Sequence, residues 1–406
     1  MLHAASQRYI NNFRGFSREV WILTLITFIN RAGTMVLPFL SKYLKEDLHF
    51  DYHQVGWILA AFGAGSFVGS WLGGKLTDRI GFYKIMIFSL FTSGLLFFVL
   101  QFITSFWSLC IAIFVIMTIA DMFRPAMFVS LGTYAKPENR TRAFTLVRMA
   151  INLGFAAGPA LGGLIIMGIG YKGLFWVDGA SCIIAILIFA VLVKERKAIS
   201  TPMTTTTLIT ETKNTTLIFM LFLFVSFITA MIFFQIFTTL PLYHSEKYGL
   251  TELQTGLLMT MNGLCIFFLE MPVVSYFERK NVNKIKLIIW GSLMMMASFY
   301  ILLLDAWAGV LILSMLLMTF GEIFIFPFSN SFALSRSPKG KEGTYMAFFT
   351  MSFSVAHIGS SKTGMEVIAK FGYETNWILM GTLGLIAVFF CIYIQKLLAE
   401  ESSHTV

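Results

Sequence analysis

Twelve stretches of about 20 mostly apolar residues recur along this chain of 406 residues, centred near positions 32, 64, 94, 120, 155, 183, 230, 264, 295, 321, 355 and 385. No other feature constrains the fold so strongly. A helix must run about 20 residues to cross the hydrocarbon of a bilayer, and the backbone polar groups there must be satisfied within the segment. Only 13% of the residues are charged, against about 25% for an ordinary soluble domain. The 43 phenylalanines and 23 methionines could not all be hidden in a soluble core of this length. The expectation is an all-α membrane protein, with the lipid bilayer as its main partner.

The charges sort by side. With both termini on one face, 21 of the 30 lysines and arginines fall on that face, before residue 19, at 75–84, 136–142, 194–213, 279–286 and 336–341, and at Lys396. The opposite loops hold five, Lys42, Lys45, Lys172, Lys247 and Lys370. Basic residues stay on the cytoplasmic side, so both termini are expected inside. The same asymmetry accounts for the net charge of +9 without nucleic acid. The N-terminal MLHAASQRYINNFRGFSRE is polar and basic with no small-residue cleavage site, so the first apolar run reads as a retained span. Cys110, Cys182, Cys265 and Cys391 all lie in apolar runs without metal or disulfide spacing and read as small buried hydrophobes.

The chain is built twice. QVGWILAAFGAGSF at 54–67 aligns with QTGLLMTMNGLCIF at 254–267, and Asp121, Gly158 and Gly163 align with Glu322, Gly359 and Gly364. The polar, threonine-rich segment 194–216 separates the copies. The expected domains are therefore a six-span bundle at 1–193, a flexible linker at 194–216 and a second bundle at 217–406. Two duplicated halves with a site between them at mid-membrane is the plan of a rocking secondary transporter.

Two motifs sharpen this reading. GGKLTDRIGFYK (73–84) stands between spans 2 and 3, and a weaker copy, VVSYFERKNVNK, stands at 273–284. The first resembles the loop signature of the major facilitator superfamily, G-x-L-a-D-R-x-G-r-k. It matches at Gly74, Leu76, Asp78, Arg79, Gly81 and Lys84, with Tyr83 where a basic residue is usual. The resemblance covers essentially the whole chain. It implies the major facilitator fold, twelve transmembrane helices in two pseudo-symmetric six-helix bundles, and a monomer without cofactor. It also implies a gating role for the motif, with Asp78 at the N-terminal end of span 11 in one state and released in the other. In span 5, Gly154, Gly158, Pro159, Gly162 and Gly163 form a G-x-x-x-G-P-x-x-G-G pattern that resembles the drug:proton antiporter branch. That resemblance implies export. The R-x-x-x-G pattern of that branch is not reproduced in span 4, where IADMFRPAMFVSLG places a proline after Arg124.

Ionisable groups inside a span are costly and point to function. Here they are Arg31, Asp121, Arg124, Arg148, Asp178, Glu270, Glu322, His357 and Lys362. Arg31, Asp121 and Glu322 are expected near mid-membrane on spans 1, 4 and 10, which the resemblance to the superfamily implies line the cavity together with span 7. Asp121 and Glu322 are repeat mates and the candidates for proton coupling. Arg31 or Arg124 is the natural partner that keeps Asp121 ionised, whereas Glu322 has no basic partner in its own half and is expected to carry the proton. The expected cavity set is Arg31, Arg124, Gln235, Glu270, Asn330 and His357. Asp178, on the peripheral span 6, is assigned no site role, and Lys362 is expected to snorkel.

Aromatic and methionine-rich walls with one or two acids suit lipophilic, often cationic, molecules. The function expected is proton-coupled export of such molecules across a bacterial inner membrane. The alternative is a proton symporter importing peptides, sugars or organic anions. A lysophospholipid transporter is a third member of the class. No nucleotide-binding loop, metal cluster or nucleophile–base set is present in the sequence, which argues against ATP-driven transport and against a membrane enzyme.

Overall fold

The computed structural model describes residues 15–136, 140–196, 213–304, 307–336 and 342–403. The regular elements among them are all helical. Eleven helical stretches are long and apolar enough to cross a bilayer. The last holds two crossings, because the backbone of Glu342–Ser403 leaves the helix at Gly372, with φ 81°. The twelve expected spans are thus present. Most of the linker, residues 197–212, lies outside the described residues.

Spans 2, 3, 5 and 6 are single helices, Tyr52–Ile80, Phe82–Leu100, Arg140–Ile169 and Lys172–Leu192. So are spans 8, 9 and 10, Glu252–Arg279, Lys284–Tyr300 and Gly309–Ser335. Spans 1, 4 and 7 are each broken. Span 1 runs Arg18–Ala32, unwinds, and resumes as Val36–Lys42; span 4 runs Phe106–Ala120 and resumes as Phe123–Tyr134; span 7 runs Lys213–Thr238 and resumes as Leu240–Tyr248. Proline explains all three. A helical proline lacks the N–H that would bond four residues back, and its ring crowds that carbonyl. Pro38, Pro125 and Pro241 stand four residues after Thr34, Asp121 and Phe237, at or beside the breaks. Asp121 therefore sits on a non-helical turn rather than in mid-helix.

The duplication extends to backbone torsions. Positive φ occurs at His49 (56°) and Gly249 (62°), at Gly81 (96°) and Asn281 (48°), and at Gly170 (77°) and Gly372 (81°). These are three repeat-related pairs, each closing a turn between spans. Asparagine is among the few side chains that tolerate the left-handed region, so Asn281 closes its turn at φ 48°, whereas Gly81, at φ 96° and ψ 148°, lies where glycine alone fits readily.

Contacts divide the chain into two compact units, residues 1–37 with 64–202 and residues 38–63 with 203–406. In the first, span 1 packs on spans 5 and 6, and span 3 on spans 4 and 6. Its core includes Leu23, Ile26, Phe82, Phe123 and Phe189. Three glycines one turn apart bring spans 2 and 4 into backbone contact. A Cβ on Gly65, Gly69 or Gly73 would lie 2.4 Å from Phe114 O, 2.3 Å from Thr118 O or 2.6 Å from Met122 Cα. Small residues at this spacing are how membrane helices approach closely. In the second unit, the helix holding spans 11 and 12 packs on spans 7 and 9, around Phe222, Phe299 and Trp377.

Of the eight tryptophans, Trp377 is buried and the rest are exposed near span ends, Trp21, Trp71 and Trp290 at one set and Trp57, Trp107, Trp176 and Trp307 at the other. Tryptophan in two such belts marks the two membrane–water interfaces.

Candidate functional site

Site candidates occur in both units. In the first, Asp121 is buried at the break in span 4. Its Oδ2 accepts a hydrogen bond from Ser66 Oγ of span 2. Its Oδ1 lies 3.7 Å from Nη2 of Arg124, one turn on, which is half-exposed. Arg31 stands in the last turn of the first segment of span 1, with its guanidinium 5.6 Å from the Phe155 ring centroid. The Arg31 Nε is buried without a hydrogen-bond partner among the described residues. Of the two arginines that could pair with Asp121, Arg124 makes the ion pair.

The glycine motif of span 5 explains why Arg31 sits so close. A Cβ on Gly154 would lie 2.6 Å from Arg31 Cβ, and one on Gly158 would lie 3.2 Å from Ala32 O. Gly154, Gly158, Pro159, Gly162 and Gly163 are all buried, and the helix continues through Pro159. Gly154 and Gly158 thus form a packing face for span 1. In the loop motif, Gly81 supplies the positive φ that ends span 2, while Asp78, Arg79 and Lys84 are exposed. A Cβ on Gly74 would meet nothing within 4 Å. Residues 337–341, before span 11, lie outside the described residues.

In the second unit, Glu322 is buried and its Oε1 accepts from Asn262 Nδ2 of span 8 at 2.7 Å. Asn262 also donates to Thr319 Oγ1 at 2.9 Å. The repeat-mate carboxylates therefore share an arrangement, each bonded by a neutral side chain of another span, but among the described residues Asp121 alone of the two has a cation beside it. Gln235 is fully buried at the centre of a network. Its Nε2 donates to Ser360 Oγ at 2.8 Å, and its Oε1 accepts from Thr239 Oγ1 at 2.5 Å and from Asn376 Nδ2 at 3.1 Å. Gln235 thereby joins spans 7, 11 and 12. His357 is buried, stacked on Phe234 at 4.2 Å and edge-on to Phe62 at 5.2 Å. Glu270 is buried in span 8, and Asn330 is exposed, its Nδ2 donating to Phe326 O at 3.0 Å. Aromatic rings continue across spans 7, 10 and 11, Phe233 to Phe326 at 5.0 Å and Phe326 to Phe353 at 5.7 Å.

Two polar constellations were not expected. Asp178 is buried, and its carboxylate accepts from the backbone N–H groups of Met35 (2.8 Å) and Val36 (3.2 Å) at the break in span 1. These amides begin a helix segment and have no partner within it. Lys362 does not reach freely toward the interface. It donates to Glu366 Oε1 at 2.6 Å, lies 3.0 Å from His53 Nδ1, and stands over the Trp57 ring at 4.4 Å. Nearby, the buried Lys42 donates to Glu252 at 2.9 Å, and Tyr52 and Tyr373 both donate to Glu246, at 2.5 and 2.8 Å. In sequence Lys42 reads only as an outer-loop charge and Lys362 as a snorkelling cation.

The chain is similar to bacterial membrane transporters over nearly its full length. It is 24% identical over 383 residues to the MFS-type transporter YttB of Bacillus subtilis, covering 91% of this chain and 94% of that protein. It is 22% identical over 406 residues to a Na(+), Li(+), K(+)/H(+) antiporter of Planococcus maritimus, with the same coverage of 91% and 94%. A shorter match, 25% over 264 residues, joins 62% of it to 63% of Multidrug resistance protein 2 of B. subtilis. A crystal structure of a POT family transporter in complex with 5-aminolevulinic acid superposes with a TM-score of 0.81 at 15% identity, over 95% of this chain and 98% of that one. At that identity the likeness is one of fold. A family profile for the Major Facilitator Superfamily matches residues 20–361. With its twelve spans, its duplicated halves and both signature motifs, the chain is a multi-pass membrane transporter that belongs to the Major Facilitator Superfamily and resembles its multidrug branch.

Proposed function

We propose that this transporter is a proton-coupled exporter of lipophilic, often cationic, small molecules, working by alternating access of the halves 1–193 and 217–406 across the linker 194–216. The observation that carries the reading is the unequal pairing of the repeat-mate carboxylates. Asp121 has the Arg124 guanidinium 3.7 Å away, whereas Glu322 is held by the neutral Asn262 amide at 2.7 Å. A carboxylate beside a cation keeps its charge, while one in apolar surroundings with only a neutral donor has most to gain from a proton or a cationic ligand. Glu322 takes the proton or the cationic substrate in turn, and Asp121 with Arg124 holds the break in span 4. The aromatic run Phe233, Phe326 and Phe353 supplies flat surfaces for a lipophilic cation. Glu270, Asn330 and His357 border the substrate path, and Gln235 holds its wall.

The turn Gly74–Lys84, with Asp78 and Arg79, acts as the inner gate. The protein resides in the bacterial cytoplasmic membrane as a monomer with both termini inside, a placement supported by the basic inner loops and the tryptophan belts. Protons and the substrate are its ligands, with no cofactor or nucleic acid required.

A specific observation favours a second reading, a proton symporter importing peptides or organic anions. The buried Nε of Arg31 has no partner among the described residues, and a substrate carboxylate would supply one. Proteoliposomes holding a pH-sensitive dye under an imposed pH gradient separate the two. Ethidium should dissipate the gradient through the parent protein and not through Glu322→Gln, which can still accept the Asn262 hydrogen bond. If dipeptides alone move protons and Arg31→Gln abolishes this, the importer reading replaces the exporter. If Glu322→Gln moves protons normally, Glu322 is not the carrier.

A further inference from the structure

Span 1 is held in two different ways on the two sides of its break. Its inner segment is locked to spans 5 and 6 by contacts too close for any side chain. A Cβ on Gly33 would stand 1.9 Å from Ser181 Oγ, and one on Gly154 would stand 2.6 Å from Arg31 Cβ. Its outer segment, from Pro38 onward, is counted with the other unit. There Lys42 donates to Glu252 at 2.9 Å, and Ser245 donates to Glu46 at 2.7 Å. One span is thus fastened to the first unit below residue 33 and to the second above residue 38.

Between these anchors the chain is unwound at 33–35. The two amides that restart the helix donate to one side chain, Asp178 of span 6, through both of its carboxylate oxygens at 2.8 and 3.2 Å, and the Met35 amide is shared with Gly33 O at 2.8 Å. Span 7 is also broken, at Thr239, but there both sides belong to one unit and the neighbouring polar groups, Gln235 and Asn376, are neutral. At the break in span 4 the charged group, Asp121, is engaged by side chains, Ser66 and Arg124, whereas at the break in span 1, where the chain passes from one unit to the other, a carboxylate from another span holds the backbone amides themselves.

We propose that residues 33–38 are the hinge at which span 1 bends when the two units move, and that Asp178 is the positioning residue that sets its angle. A continuous helix would transmit any displacement of its outer half to its inner half. The unwound stretch, with Gly33 and the missing N–H of Pro38, can absorb it. Asp178 accepts from the two buried amides that open the second segment, so their hydrogen bonds do not depend on a continuous helix through residues 33–35. In this assignment Asp178 touches neither substrate nor proton, and the inference stands whichever molecule is carried.

Two measurements on the full-length protein in lipid nanodiscs test it. The first is amide exchange at Met35 and Val36. The second is the distance distribution between spin labels at Asp47→Cys and Lys172→Cys, in a background carrying Cys110→Ala and Cys265→Ala. Asp178→Leu should speed exchange of the two amides by about tenfold or more and shift or broaden the distribution. Asp178→Asn, which keeps one acceptor, should fall between Leu and parent. Gly33→Ala should also shift the distribution, and adding Ser181→Gly should restore it. If Asp178→Leu is monodisperse with the parent's melting temperature, parent-like exchange and an unchanged distribution would overturn the proposal. If that variant is not recovered folded, Asp178→Asn decides on the same two readouts.

Discussion

Replacing Gly69 by alanine adds one methyl group where spans 2 and 4 touch. That Cβ would lie 2.3 Å from Thr118 O, 2.9 Å from Thr118 C and 3.0 Å from Met117 O. All three are backbone atoms, so no rotamer change relieves the contact. Ordinary carbon contacts sit near 3.5 Å, so the two spans must part by about 1 Å along this line. A gap of that size forfeits roughly a quarter to a half of each van der Waals well it opens, and it also opens the contacts at Gly65 and Gly73. Overpacking of this kind costs about 1–3 kcal/mol, of which up to about 1 kcal/mol is offset by the better helix propensity of alanine. Gly74→Ala, five residues on, is the control, because its Cβ would meet nothing within 4 Å. That change should be neutral or stabilise by up to about 1 kcal/mol. Thermal unfolding in detergent, followed by size-exclusion fluorescence, should show Gly69→Ala melting several degrees below the parent and Gly74→Ala at or above it. If Gly69→Ala melts as high as Gly74→Ala, the glycine stripe is not what holds spans 2 and 4 together.

Two further outcomes are expected. Gly81→Ala must adopt φ 96° and ψ 148°, a region nearly confined to glycine, at a cost of about 1–3 kcal/mol; Asn281→Gly at the repeat-related turn should cost almost nothing, and equal melting temperatures for the two would refute the backbone argument. Gln235→Leu should lower the melting point markedly, since it strips partners from Thr239 and Asn376 in a buried network, at about 1–3 kcal/mol per orphaned group; an unchanged melting curve would show that this network does not bind spans 7, 11 and 12.

Much of the fold could be read before any coordinate. The apolar runs located all twelve spans, and the repeated loop motif anticipated the matched turns at Gly81 and Asn281. The breaks at Asp121 and in span 1 were also within reach, since Pro125 and Pro38 stand where a helix loses its bond four residues back, but hydropathy alone runs through them unmarked. The candidate site was legible only as a set of residue types. Asp178 looked peripheral because span 6 is peripheral, yet its partners Met35 and Val36 lie 143 and 142 residues away in sequence. Gln235 looked like a cavity group and is instead saturated by Ser360, Thr239 and Asn376. Lys362 looked like a snorkelling cation and is engaged by Glu366 and His53.

The division follows from the range of the forces. Whether a segment enters the bilayer and where its helix must break depend on the segment's own hydropathy and prolines, so the sequence by itself determined the number and duplication of the spans. Which buried polar group meets which is a matter of spans brought together from distant parts of the chain, each donor or acceptor taking whatever partner close packing places within about 3 Å. Only the tertiary structure could decide that Arg124, rather than Arg31, pairs with Asp121, that Glu322 has a neutral amide for company, and that a carboxylate on span 6 clamps the break in span 1.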